Sequence, residues 1–176
     1  MPALKNNKGF TLIELIIVVA ILAACVGLIT TSVSVVFSSG AAKCANGLNA
    51  AISKCRISAM SRSGSVYLRL YRDGVNNQIM VDYLENGVVK TSDVIGSSNC
   101  GAVFDTDAEH SLGNLGSDSV LCITFDRDTG ALDTLKSDGS QPAGSIPQCS
   151  YIAVSGGGRT YKISFVPATG AHMLEG

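Results

Sequence analysis

Six cysteines, at positions 25, 44, 55, 100, 122 and 149, carry most of the reactive chemistry of a 176-residue chain that has two histidines and no tryptophan. Thiols bridge one another in oxidising compartments or hold soft metals. No Cys-x-x-Cys occurs, so zinc is not expected and no metal ligand is assigned. Cys25 lies in an apolar run, where it serves as a small hydrophobe. Cys44, Cys55, Cys100, Cys122 and Cys149 are the disulfide candidates. Cys44 and Cys55 share a helical stripe, yet ~16 Å separates them on a continuous helix, beyond the roughly 4.4–6.8 Å between bridged Cα atoms. Each is expected to tie a helix to a sheet through Cys100, Cys122 or Cys149, with the connectivity open and one thiol left over.

The other chemistry is sparse. His110 and His172 stand in polar, loop-like text and read as surface residues, and no nucleophile elbow accompanies them. Neither a Walker A nor a Gly-x-Gly-x-x-Gly motif is present. An enzyme is not expected, nor a cofactor. Asp126-Arg127-Asp128-Thr129-Gly130, with Asp133 beyond it, hints at a calcium loop. Its glycine falls one place early for an EF-hand and no glutamate closes it, so an Asp-rich turn is the expectation. Asp105, Asp107 and Glu109 read as solvated surface.

Charged residues make up 15% of the chain against a usual ~25%, and the deficit is local. No charge occurs between Glu14 and Lys43, and 21 of the 28 residues from 10 to 37 are apolar. About 20 such residues suffice to cross a bilayer as a helix. Lys5 and Lys8 keep the N-terminus cytoplasmic and send the rest outward. An ordinary cleaved signal fits poorly, because the apolar run continues past Ala23-Ala24. Leu22-Ala23-Ala24-Cys25 looks like a lipobox, which leaves an exported lipoprotein anchored at Cys25 as an alternative, although no polar tether follows. A carboxylate inside such a run costs at least ~2.5 kcal/mol on insertion scales. Glu14 therefore needs a partner or a shallow position at the interface.

The elements that would position these groups follow from periodicity. Apolar residues recur at 41, 44, 48, 51, 52, 55 and 59, the spacing of one helix face. An amphipathic continuation over 38–63 should lay that face on a sheet. Gly27, Gly40 and Gly47 weaken the helix, and Ser38-Ser39-Gly40 is the expected interruption. Beyond Gly64 the period becomes two, with Val66, Leu68 and Leu70 alternating with Tyr67, Arg69 and Tyr71 in a strand over 65–72. Further strands are expected over 78–84, 88–91, 119–125, 131–135, 151–155 and 160–166. Asn86-Gly87 and the glycines at 156–158 mark hairpins, while 96–118 and 136–149 read as loops. One α+β unit results, a long helix backing an antiparallel sheet. Without the first nine residues, 11 basic and 14 acidic side chains remain, a net of −3. That balance gives no general electrostatic support for nucleic acid, leaving only a local strip of Arg56, Arg62, Arg69 and Arg72.

Lys8-Gly9-Phe10-Thr11-Leu12-Ile13-Glu14-Leu15, followed by the apolar run, resembles the class III signal of type IV pilins and pseudopilins. The resemblance implies a pilin-like α+β fold in four parts. These are a basic leader over 1–9, a transmembrane and filament-core helix over 10–37, its amphipathic continuation over 38–63, and an exported antiparallel β domain over 64–176. It implies cleavage by prepilin peptidase between Gly9 and Phe10, N-methylation of Phe10, and an assembly role for Glu14 opposite the terminal amine of a neighbouring subunit. A buried carboxylate is tolerated when so paired. The implied partners are other pilin or pseudopilin subunits, the peptidase and an inner-membrane assembly platform. The implied location is the bacterial inner membrane, crossed once, and then a periplasmic or extracellular filament.

The stretch 48–70, with Ala59, Arg62 and Gly64 leading into VYLRL, is similar to minor pseudopilin H of type II secretion and to FimT-like minor pilins. ITFDRDTG and YKISFVPATG resemble the same group, and a minor, tip-proximal subunit is what that implies. The group commonly carries Arg after the final Gly, where this chain has Ala171 and His172. The basic C-terminal motif of members linked to DNA uptake is represented by Arg159 alone. Capture of DNA or of a secreted substrate at a filament tip is the remaining alternative.

Overall fold

Thr11 starts the long helix. Its extended backbone (φ −78°, ψ 151°) places its side chain to accept from the Glu14 N–H, while Glu14 reaches back to the Thr11 N–H. These are the two halves of a capping box. The computed structural model describes residues 11–105, 109–111, 120–135 and 148–176, with side chains at 26–38 and 109–111 outside the description. Helix α1 runs over Leu12–Ser61, 50 residues, and Arg62 closes it by donating its N–H to the Ser58 carbonyl at 3.1 Å.

Ten strands follow: β1 (Val66–Arg72), β2 (Ile79–Glu85), β3 (Val88–Gly96), β4 (Gly101–Asp105), β5 (Glu109–Ser111), β6 (Leu121–Phe125), β7 (Leu132–Leu135), β8 (Tyr151–Gly156), β9 (Arg159–Val166) and β10 (Ala171–Glu175). They form two five-stranded sheets, in the orders β3-β2-β1-β6-β7 and β10-β9-β8-β4-β5, and every pairing is antiparallel. A single sheet was the expectation. Two form because β8, β9 and β10 pair among themselves and with β4 rather than extending the β1 ladder.

Two hairpins rest on their turn chemistry. Asn86 (φ 53°) and Gly87 (φ 78°) join β2 to β3, and Gly157 (φ 60°) and Gly158 (φ 77°) join β8 to β9. Both central residues are left-handed in each, the geometry that matches strand twist.

The core lies between α1 and the sheets. Ala41, Cys44, Leu48, Ala51, Ile52, Cys55 and Ala59 are all buried, as the helical spacing requires. They meet Leu68, Leu70, Ile79, Val81, Ile123, Ile152, Val154 and Ile163 from both sheets. Tyr67, Leu84, Cys122 and Leu135 form a second, smaller cluster. A polar knot is set among the strands: Asp82, 2% exposed, accepts from Arg69 at 2.5 and 3.2 Å, from Ser92 at 2.5 Å and from Tyr71 at 3.5 Å. A carboxylate so buried is tolerated only with such partners.

Three expectations are corrected here. The helix is not interrupted at Ser38-Ser39-Gly40 but stays α-helical through it. Gly40 and Gly47 are packed positions within it, where a Cβ would lie 3.7 Å from Cys100 Sγ and 3.6 Å from Ile95, both ordinary van der Waals distances. The expected loop over 96–118 contains β4 and β5, and the chain end forms β10. Finally, β3 extends five residues beyond Thr91, accommodated by two register shifts against β2.

Candidate functional site

The N-terminal end of α1 is apolar on every side. Leu12, Ile13, Leu15, Ile16, Ile17, Val18, Val19, Ile21 and Leu22 are each about half or more exposed. A helix apolar all round is a helix that is buried in use, and among the described residues nothing covers this one. Among the described residues, no helix is long and apolar enough to cross a membrane. Glu14 is the one acid in this stretch. Its Oε2 accepts from the Thr11 N–H at 2.9 Å and the Thr11 hydroxyl at 3.0 Å. The capping role was not foreseen from the sequence, although Thr-x-x-Glu is its ordinary signature. Gly9 and Phe10 lie outside the described residues.

The cysteines separate by location. Cys44 and Cys100 come together where α1 passes the end of β3: Cys100 Sγ lies against Gly40, and a Cβ at Gly96 would approach Cys44 Sγ to 2.7 Å. Cys55 is buried further along the same helix face. Cys149 is buried at the entrance to β8, its N–H donated to Thr134 Oγ1 at 2.9 Å. Cys122 belongs to the second cluster, apart from the helix-facing residues. The expectation that Cys122 could tie the helix to a sheet is therefore corrected, because it lies opposite Arg69 in the ladder, not beside Leu68 and Leu70. Burial pushes the thiols of Cys44, Cys55 and Cys149 up to about 12, so they stay protonated and slow to react at neutral pH. Cys25 is exposed on the apolar stretch of α1.

The four arginines do not make a free basic strip. Arg62 pairs with Glu85 at 3.1 Å, and Arg69 with Asp82. Arg72 donates to the carbonyls of Asn77 at 2.7 Å and Cys100 at 2.5 Å. Arg56 donates to the Thr169 carbonyl at 2.9 Å, where two Thr-Gly turns abut. Gly130 and Gly170 both have positive φ there, 71° and 61°. Arginines held by protein acceptors present less charge to a phosphate backbone.

The calcium hint does not assemble either. Asp126 closes its own turn, its Oδ1 accepting from the Thr129 hydroxyl at 2.6 Å, the Thr129 N–H at 2.7 Å and the Asp128 N–H at 3.1 Å. Asp133 instead faces Gln148 Nε2 at 3.5 Å. The Thr129 hydroxyl, then the Thr129 and Asp128 amides, hold the Asp126 carboxyl below its ordinary 3.8. A group depressed in the fold stabilises it above its unfolded value and loses that contribution as pH falls through the lower folded value. Carbon-detected titration should show Asp126 ionised below 3.8, and the stability difference between native and Asp126→Asn chains should shrink on acidification below that value. An unshifted Asp126 would refute the turn assignment.

His172 departs from the surface reading. Half-buried on β10, its Nε2 lies 2.9 Å from Ser53 Oγ of α1, while Ser53 also donates to the Asn49 carbonyl at 2.9 Å. The contact latches the last strand to the helix. No sequence signal pairs residues so distant. The side chain of His110 lies outside the described residues.

Comparison with known proteins adds one match. Residues 4–30 match the prokaryotic N-terminal methylation motif. The match covers the basic residues, Gly9, Phe10, Glu14 and much of the apolar run, and marks the chain as carrying a type IV pilin-like signal of the kind processed by prepilin peptidase. No curated protein and no solved structure matches the chain.

Proposed function

We propose that this chain is a minor structural subunit of a type IV pilus or a type II secretion pseudopilus. Prepilin peptidase cuts between Gly9 and Phe10, Phe10 is N-methylated, and the apolar stretch over 10–37 first spans the inner membrane. It is then extracted into a filament, where it packs against other copies or related subunits. The single observation that carries this reading is a methylation signal, matched over residues 4–30, that runs into a capped helix whose large apolar side chains from Leu12 to Leu22 are exposed among the described residues. The subunit performs no chemistry of its own; Glu14 registers neighbours and the β domain faces outward. The engaged arginines and the net charge of the processed chain favour a packing role over capture of DNA at a tip. Intact-mass analysis of the mature protein tests it. The expected N-terminus is a methylated Phe10, with the protein recovered in sheared filament fractions. A chain beginning at Met1, or at an acylated Cys25, would overturn it.

A further inference from the structure

We propose that Cys44 and Cys100 form a disulfide that pins the turn after β3 to helix α1, a bridge that rests on export of the β domain to an oxidising compartment. The two side chains meet by reciprocal packing across one seam. Cys100 Sγ lies 3.7 Å from the position of a Cβ on Gly40, one helical turn before Cys44. Cys44 Sγ lies against Gly96, four residues before Cys100, closely enough that any side chain there would collide with it. The missing side chain at Gly96 lets Cys44 Sγ reach the strand-end backbone, while Cys100 Sγ stands at ordinary van der Waals distance from the Gly40 Cβ position. Arg72 fixes the Cys100 backbone by donating to its carbonyl, and the Cys100 N–H donates to the Ser97 carbonyl at 3.1 Å. The two thiols also feel one another electrostatically, which helps hold Cys44 protonated. Cys55 lies three turns farther along α1, Cys122 sits in the other cluster, and Cys149 donates from its Sγ to the Tyr151 carbonyl at 3.4 Å.

A shallow groove of about 220 Å³ lies beside the pair, lined by neighbouring residues that include Gly40, Lys43, Gly96 and Ser97. Both side chains are buried, Cys44 fully and Cys100 to within 3%, and the exchange takes Cys100 as the first attacking thiol. The oxidant is a protein disulfide of the thiol–disulfide oxidoreductase class. Cys100 thiolate attacks one of its sulfurs, forming a mixed disulfide and releasing the other sulfur as a thiolate. Cys44, having lost its proton to water, then attacks the Cys100 sulfur and releases the second oxidoreductase thiolate. Two cysteine thiols lose two protons and two electrons, and the oxidoreductase disulfide is reduced to a dithiol. Closing so long a loop shifts the unfolding equilibrium by on the order of a thousandfold.

The test uses the full chain extracted from membranes, denatured with N-ethylmaleimide present, then digested with and without reduction. Trypsin leaves Cys44 alone in the peptide 44–54 but keeps Cys100 and Cys122 together in 91–127, so a second cut at aspartate separates them. The expected product is the Cys44 peptide joined to the Cys100 peptide and unalkylated until reduced. In Cys100→Ser, Cys44 becomes alkylated without reduction. Alkylation of both native cysteines in a chain starting at Phe10, or a bridge from either to another cysteine, would overturn the proposal while leaving the filament reading intact. If the chain starts at Met1, the filament reading fails, and the purified full chain is oxidised with glutathione disulfide and an oxidoreductase. A Cys44–Cys100 bridge then supports the pairing, and its absence overturns it.

Discussion

Glu14→Gln is expected to reduce incorporation into filaments by roughly a hundredfold while membrane insertion and α1 survive. Under the proposed function, Glu14 faces the terminal amine of the neighbouring Phe10 in an apolar surrounding, where losing one partner of an ion pair costs about 3 kcal/mol or more, a factor of ~100 or more in an equilibrium. The structure supplies the control. Glutamine serves a capping box as well as glutamate does, so the bonds from Thr11 to the side chain at 14 remain available in this variant. Thr11→Ala does the opposite, removing the hydroxyl that accepts the Glu14 N–H while leaving the charge. The cap is worth about 1 kcal/mol, so its loss should lower incorporation only several-fold. The measurement is the ratio of subunit in sheared filaments to subunit in membranes. If Glu14→Gln assembles as well as the native chain and Thr11→Ala does not, Glu14 is a helix cap and the amine-pairing role is lost.

Gly170→Ala is expected to destabilise the β domain by about 2–5 kcal/mol. Two costs combine at this position. The backbone has φ 61°, and an L-residue there costs roughly 1–2 kcal/mol. A Cβ would overlap the Gly130 carbonyl oxygen and press on the Phe125 ring at 2.9 Å, and such overpacking costs typically ~1–3 kcal/mol. Gly158→Ala isolates the first cost: its φ is 77° and nothing lies within 4 Å of its Cβ position, so a loss of only about 1–2 kcal/mol is expected. Urea unfolding of the detergent-solubilised full chain should separate the two variants. Equal midpoints would show that the two Thr-Gly turns do not abut as described.

Much of this was legible in the sequence where structure is local. The apolar face from Ala41 to Ala59 follows from helical spacing, and Asn86-Gly87 and the glycines at 157 and 158 adopt the left-handed turns that only such residues take readily. The strand cores at 66–72, 121–125 and 160–166 declare themselves by alternation. What escaped was set by partners distant in the chain. β4 borrows its order from β8, and β10 from β9; neither is strongly patterned alone, since Gly101–Asp105 and Ala171–Glu175 are only five residues each. Gly40 read as a helix breaker because its propensity is poor, yet α1 runs unbroken through it with Cys100 packed alongside. The Ser53–His172 latch and the grouping of Cys44 with Cys100 have the same origin. The N-terminal signal was legible for another reason: a methylation motif is a linear string, so its information never leaves the sequence.

The unbroken course of α1 from Leu12 to Ser61 has a mechanical consequence. Tension applied at its N-terminal end travels along hydrogen bonds nearly parallel to the rod and reaches the two sheets as shear over the seam from Ala41 to Ala59. Sliding that seam would drag Leu48 and Ile52 past their neighbours together, whereas a sideways force would peel the solvent-exposed margin at β3 one residue at a time. The domain is thus built to resist loads along the helix axis far better than loads across it.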